Sequence, residues 1–241
     1  MARLDLALVA RGLFESRAKA RAAIEAGGVR VDGAVVRRPA ASVEADAVIE
    51  ATPAHGWVGR GALKLAHALE LWPVNARGAV VLDLGASTGG FTEVCLSAGA
   101  ALVYAVDVGH GQLHPKIATD PRVVSLEKTD ARALTPELIP QRPDLIVSDL
   151  SFISLEKALP AALVLSGPGA ELVALVKPQF EVGRAGVGKG GLVTDPALRV
   201  AAVESFERFL AAQNWRTLER TESPIQGGDG NVEFLVWAKR A

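Results

Sequence analysis

A single cysteine, Cys95, stands in 241 residues. One thiol excludes an internal disulfide and a cysteine-rich metal site. No segment has 18 uninterrupted apolar residues, so no membrane span is expected. Hydrophobic residues still make up 49% of the chain, enough for a sizeable core. The opening residues, MARLDLALVARG, carry Arg3, Asp5 and Arg11 and lack the apolar stretch of a signal peptide. A cytoplasmic protein with no need of a metal is the expectation. An excess of one charge is missing too, the formal net charge being −1. That balance hides an asymmetry. Residues 1–38 hold eight basic and four acidic side chains, a net +4, and the remainder carries −5. A basic module joined to a more acidic one is implied, and the length suits one or two domains.

The basic end has its own pattern. Residues 3–10 read as a short helix, closed by Gly12. Ser16 is a good N-cap for SRAKARAAIEA, which stops at Gly27-Gly28. Arg17 and Arg21 share a face of this helix, while Ala20, Ala23 and Ile24 turn inward. Asp32-Gly33 between Val29–Val31 and Ala34–Val36 predicts a hairpin, and Val48 and Ile49 mark a last strand. This stretch, RLDLALVARGLFESRAKARAAIEAGGVRVDG, resembles the S4-type RNA-binding module over residues 1–52. The resemblance implies that Arg3, Arg17, Lys19 and Arg21 meet RNA phosphates, which arginine grips bidentately.

Residues 53–60, rich in Gly and polar residues, read as a linker to a second domain spanning 61–241. ALKLAHALELW predicts an amphipathic helix with Lys64 near its start. Apolar runs then alternate with helical stretches. Strands are expected at 80–84, 101–107, 122–128, 143–151 and 171–178, with helices at 91–97, 154–165 and 196–212. WRTLERTES and NVEFLVWAK read as two final strands, and PQFEVGRAGVGKGGLVTDP as a long glycine-rich loop. The fold class is therefore α/β: a Rossmann-like, mostly parallel sheet behind a small α+β domain, with ligands at the C-terminal strand ends.

The turn GASTGGF, from Gly85 through Ser87, Thr88, Gly89 and Gly90 to Phe91, aims backbone N–H groups and a helix N-terminus at a ligand. It is not GxGxxG, and no GxxxxGK[ST] occurs. Asp107 ends the second strand, 22 residues after Gly85, where a carboxylate can bridge two ribose hydroxyls. Asp130 is placed to contact an adenine edge, Asp83 precedes the turn, and Asp149 ends a further strand. Acids around one pocket suit a cationic cofactor with a ribose, S-adenosylmethionine, better than a pyrophosphate.

A methyl acceptor must then be chosen. The turn after the fourth strand is Asp149-Leu150-Ser151-Phe152, without the Pro-Pro pair common among exocyclic-nitrogen methyltransferases. Cys95 lies behind the glycine turn, where burial is expected, so a cysteine nucleophile is disfavoured. Four residues remain that a parallel sheet brings together: Lys64, Asp149, Lys177 and Glu233. A ribose hydroxyl is a poor nucleophile. A lysine oriented by carboxylates beside a second cation can activate it.

LDLGASTGGFTEVCL, VDVGHGQL, DLSFISL, LVKPQFEVG and GNVEF together resemble the TlyA-type (haemolysin A) family of ribosomal RNA ribose 2′-O-methyltransferases, relatives of the FtsJ-like enzymes. The resemblance implies S-adenosylmethionine as cofactor, ribosomal RNA or a ribosomal subunit as partner, and a Lys-Asp-Lys-Glu tetrad at the four positions just named. The loop from Gly183 to Gly191, with Arg184 and Lys189, is expected to close over the target nucleotide. Alternative readings are a membrane-active haemolysin-like protein, a non-catalytic RNA-binding assembly factor, and a small-molecule methyltransferase.

Overall fold

The computed structural model describes residues 1–227 and 229–241. The chain divides into two compact units, Met1–Gly56 and Trp57–Ala241.

In the first unit, β1 (Ala2–Arg3) leads into α1 (Leu4–Ala10) and α2 (Arg17–Ala26), followed by β2 (Val29–Val31), β3 (Ala34–Val35), β4 (Ser42–Val43) and β5 (Ile49–Ala51). Ser16 caps α2 by accepting from Lys19 N, and Gly27 ends it in the left-handed region. Asp32 (φ 48°) and Gly33 (φ 80°) make the β2–β3 turn, the positive-φ pair that a two-residue hairpin requires. β5 pairs with the other edge of β2. β1 and β4 form a separate two-residue ladder that no apolar pattern announces. Leu4, Leu8, Ile24 and Val29 are wholly buried between helices and strands.

The second unit opens with α3 (Ala62–Leu71). It continues through β6 (Val80–Leu84), α4 (Gly90–Ser97), β7 (Leu102–Asp107), α5 (Pro115–Ala118), β8 (Val123–Glu127), β9 (Leu145–Ser148), α6 (Leu155–Ala158) and α7 (Pro160–Leu165). It closes with β10 (Glu171–Val176), α8 (Pro178–Glu181), α9 (Pro196–Ala212), β11 (Trp215–Glu222) and β12 (Phe234–Arg240). The sheet order is β11-β12-β10-β9-β6-β7-β8, and β12 alone runs antiparallel to its neighbours. Successive strand residues feed opposite cores, as the pleat demands. Leu82, Leu84, Ile146, Leu172 and Ala174 pack on one face with α6, α7 and α9. Val81, Val147, Val173 and Leu175 pack on the other with α3 and α4. Burial on both faces is why these strands read as continuous apolar runs.

Three local expectations change. The helix expected over 154–165 is two helices, because Pro160 lacks an N–H and crowds the preceding turn. The last strand begins at Phe234, with Glu233 just ahead of it. The glycine-rich stretch is not bare loop: it holds α8 and two 3-10 turns, Arg184–Gly186 and Lys189–Gly191. No helix among the described residues is long and apolar enough to cross a membrane.

Candidate active site

Strand order reverses at β6, which has β7 on one side and β9 on the other. The carboxyl ends of these strands open a cleft of about 390 Å³, within the usual range for small-ligand sites. Gly85 continues β6 with φ +83°, and a Cβ there would lie 2.9 Å from Asp149 O. Only glycine fits this crossing of two strand ends. Asp107 terminates β7. Its Oδ2 accepts from Ser87 N (2.8 Å) and its Oδ1 from Gly109 N (2.7 Å), so the carboxylate is fixed at the mouth of the turn. The cleft wall includes Gly85, Ser87, Asp107 and Asp149, and no lysine or arginine. A ligand with hydroxyls and a positive charge suits this wall, and a polyphosphate does not. S-adenosylmethionine fits that description.

Asp83, Thr88, Gly89, Gly90, Phe91 and Asp130 do not line the cleft. Asp83 lies beneath the turn, wholly buried, where Thr92 Oγ1 donates to it at 2.6 Å. Burial raises its pKa to about 7. Asp83 follows Val81 and Leu82 with the pleat, so it points with Val81 towards α4. Asp130 is engaged by its own neighbour: Arg132 Nη2 donates to it at 2.6 Å, and this bond lowers its pKa to about 2. Cys95 is fully buried and burial pushes its thiol well up, so it is no nucleophile here.

Beside the cleft stand the four residues of the expected tetrad. Lys64 comes from the first turn of α3, and Asp149 follows β9. Lys177 precedes α8, and Glu233 precedes β12. Register accounts for the last two. Val176 pairs with Phe234, so the end of β10 and the antiparallel start of β12 share one rim. Glu233 Oε2 accepts from Lys64 Nζ at 2.6 Å, Lys64 Nζ lies 3.9 Å from Asp149 Oδ2, and Lys177 Nζ lies 2.7 Å from Asp149 Oδ1. Charges alternate along this chain, and Asp149 belongs both to it and to the cleft wall. Lys64, Lys177 and Glu233 are buried, and Asp149 is the member most open to solvent.

Sequence reasoning missed several supports. Lys177 Nζ also donates to Ser151 Oγ at 2.8 Å. A Cβ at Gly227 would come 2.6 Å from Glu233 Oε1, and one at Gly61 3.2 Å from Asp149 Oδ2, so both glycines leave room for the tetrad. Phe152 is 91% exposed at φ 66°, a strained conformation for an aromatic residue, with its ring 5.2 Å from Phe180. Both line a second cleft of about 610 Å³ with Lys157 and Arg184, whereas Lys189 lies outside it. Aromatic rings interleaved with cations suit a nucleotide chain.

Glu181 ties α8 to this segment: its Oε1 accepts from Leu155 N, at the start of α6, at 2.9 Å. Desolvation raises its pKa from 4.5 to about 7, and Glu156 adds to the rise. A carboxyl raised in this way binds its proton more tightly folded than unfolded. It therefore favours folding most below about pH 4.5 and progressively less up to about pH 7. Asp83 acts in the same sense. Glu181→Gln is expected to flatten the fall in melting temperature between pH 5 and 7, and an unchanged pH profile would refute this.

In the first unit Arg3 and Arg17 both bind Asp5, at 3.0 and 2.8 Å. Lys19 pairs with Glu15 and Arg21 with Glu25. All four basic side chains remain partly exposed. Among the described residues no group of three or more His, Cys, Asp or Glu side chains is placed to hold a metal ion.

Comparison with known proteins matches each unit to a family. The FtsJ-like methyltransferase family matches residues 57–240, and the S4 domain matches residues 2–49. The 16S/23S rRNA (cytidine-2′-O)-methyltransferase TlyA of Mycobacterium tuberculosis is 49% identical over 240 residues, 99% of this chain and 90% of the relative. Hemolysin A of Brachyspira hyodysenteriae is 39% identical, over 97% of this chain and 98% of its own. A solved structure of a candidate hemolysin from Streptococcus thermophilus has a TM-score of 0.79 at 37% identity, covering 99% of this chain and 88% of that one. An S4 domain ahead of an FtsJ-like methyltransferase domain is common ground between sequence, fold and family matches, and the chain belongs to the TlyA-type branch of the FtsJ-like methyltransferases.

Proposed function

We propose that the chain methylates the 2′-hydroxyl of cytidine ribose in ribosomal RNA, using S-adenosylmethionine, and acts in the cytoplasm on rRNA or ribosomal subunits. The observation that carries this reading is the sharing of Asp149 between the cofactor cleft and the Lys64–Asp149–Lys177–Glu233 cluster. S-adenosylmethionine, when bound, supplies a methyl group on a positively charged sulfur. Asp107 would hold its ribose hydroxyls, and Gly85 and Ser87 would line the cofactor's side of the cleft. Lys177 Nζ first releases a proton to solvent and then takes the proton of the attacking 2′-hydroxyl, with Asp149 and Ser151 fixing the ammonium that re-forms. Lys64, held by Glu233, keeps Asp149 in place. Phe152, Phe180 and Arg184 receive the RNA strand beside the target, and the first unit docks on a folded part of the same RNA.

The test is transfer of tritiated methyl from S-adenosylmethionine to 16S rRNA, 23S rRNA and intact subunits from cells lacking the protein, followed by mapping of 2′-O-methyl sites. Label on cytidine ribose is expected. No incorporation into any of these substrates would refute the assignment. Labelling of small molecules alone would favour a small-molecule acceptor.

A further inference from the structure

Asp5 is the one carboxylate of the first unit that is completely buried. It sits in the first turn of α1, and its surroundings are unusually full. Arg3 Nε donates to Oδ1 at 3.1 Å and Arg3 Nη2 to Oδ2 at 3.0 Å, a two-pronged grip. Arg17 Nε donates to the same Oδ2 at 2.8 Å, and Leu6 N to Oδ1 at 3.0 Å. The two arginines come from different elements, β1 and the first residue of α2. Their side chains stay 46% and 51% exposed.

A buried ion cluster of this kind is a weak source of stability, because desolvation offsets much of its Coulomb gain. It does have a geometric effect. Two long, flexible side chains are held from below by one anchored carboxylate. Both place a nitrogen against the same oxygen, so the two guanidinium groups are held next to each other. Among the described residues Arg3 Nη1 and both terminal nitrogens of Arg17 take no acceptor. These donors are left for a ligand above the pair. Two cations and one anion leave a local charge of +1. Arg17 also stands at the N-terminus of α2, where the helix dipole adds positive potential.

We infer that Asp5 is a positioning residue which holds Arg3 and Arg17 as a clamp for a single RNA phosphate. The clamp rests on the RNA-docking role proposed for the first unit and specifies how that role is carried out. Asp5 touches no RNA. The arginine bonds hold its carboxyl well below the usual carboxylate range, so it stays charged in any physiological buffer. Ordering of the side chains before binding removes part of the entropy that two free arginines lose on meeting RNA.

The clamp makes a prediction opposite in sign to simple electrostatics. Asp5→Asn raises the net charge of the full-length chain by one, which by Coulomb attraction alone tightens RNA binding. Loss of the clamp weakens it. Affinity for a 23S rRNA transcript, measured by fluorescence anisotropy from 50 to 300 mM KCl without cofactor, is expected to fall roughly five- to tenfold. The slope of log affinity against log salt is expected to shrink by about one phosphate's worth. Equal or tighter binding by Asp5→Asn overturns the proposal. If that variant loses the fold of the first unit, the double variant Arg3→Lys, Arg17→Lys decides. It keeps every charge and loses the paired guanidiniums, so a similar fall supports the clamp and unchanged affinity overturns it. A wild-type chain that fails to bind the transcript at all removes the docking role itself, a separate outcome.

Discussion

Lys177→Ala is expected to bind S-adenosylmethionine within a few-fold of wild type and to transfer no measurable methyl group to ribosomal RNA. Lys177 is not part of the cleft wall, so titration calorimetry with the cofactor should barely change. Its Nζ is held instead by Asp149 Oδ1, Ser151 Oγ and, at 3.4 Å, Asp149 O, which aims it at the shared rim. A positioned acid or base supplies about 10²–10⁴ in rate. Loss of that group, with the attendant misorientation of Asp149, puts turnover at least about a thousandfold down by the same reckoning. Lys177→Arg should not restore it. A planar guanidinium stays protonated and cannot take the hydroxyl proton. The variant should remain folded, because Asp149 is partly solvated and keeps Lys64 at 3.9 Å. Wild-type methylation by Lys177→Ala would remove Lys177 from the chemistry.

The second large effect is expected at Glu233, and it is chiefly one of stability. Lys64 is buried and Glu233 is its close partner, at 2.6 Å. Glu233→Ala leaves a buried ammonium facing Asp149 only at 3.9 Å. Removing one partner of a buried pair costs about 3–5 kcal/mol. For a unit of this size that corresponds to a fall of roughly 10 °C in melting temperature. Glu233→Gln retains an acceptor but no charge, so it should recover part of the stability and little activity. Replacing both partners by apolar residues, Lys64→Met with Glu233→Leu, should regain most of the stability and none of the turnover. That double variant separates the structural cost from the chemical one. An unchanged melting temperature for Glu233→Ala would show that the pair is not structurally important.

Much of the fold is legible along the chain because its causes are local. The sheet strands of the second unit are apolar runs covered on both faces, and α2 carries its start and stop signals at Ser16 and Gly27. The tetrad was legible as residue types: Asp149 and Lys177 end strands, and Glu233 precedes one. What escaped was short or distant. β1 and β4 are two residues each and pair across some forty positions, too little for a periodic signal. α8 hides among glycines, and Pro160 interrupts an apolar stretch whose pattern runs on through it. Asp83 looked like part of a ring of acids, yet the two-residue pleat turns it with Val81 under α4. Ser151 and Glu181 fall within DLSFISL and LVKPQFEVG, but nothing in those segments assigns either a role. Their roles come from what α8 brings against the Asp149–Leu155 segment.

By itself, the order of residues determined the two modules, the alternation of strands and helices, the glycine turn and the chemical character of each strand end. Propensity, capping and burial patterning act over a few residues, so they can be read in one dimension. Tertiary structure alone decided that Lys64 and Glu233, 169 residues apart, meet at 2.6 Å, and that Asp5 gathers Arg3 and Arg17 from different elements. It also decided that Asp149 serves cleft and cluster together. Those meetings depend on strand order and on the register of β12 against β10. These strands are buried on both faces and so lack the alternation that specifies register where one face is wet; packing of the whole sheet between its two helical layers sets it instead.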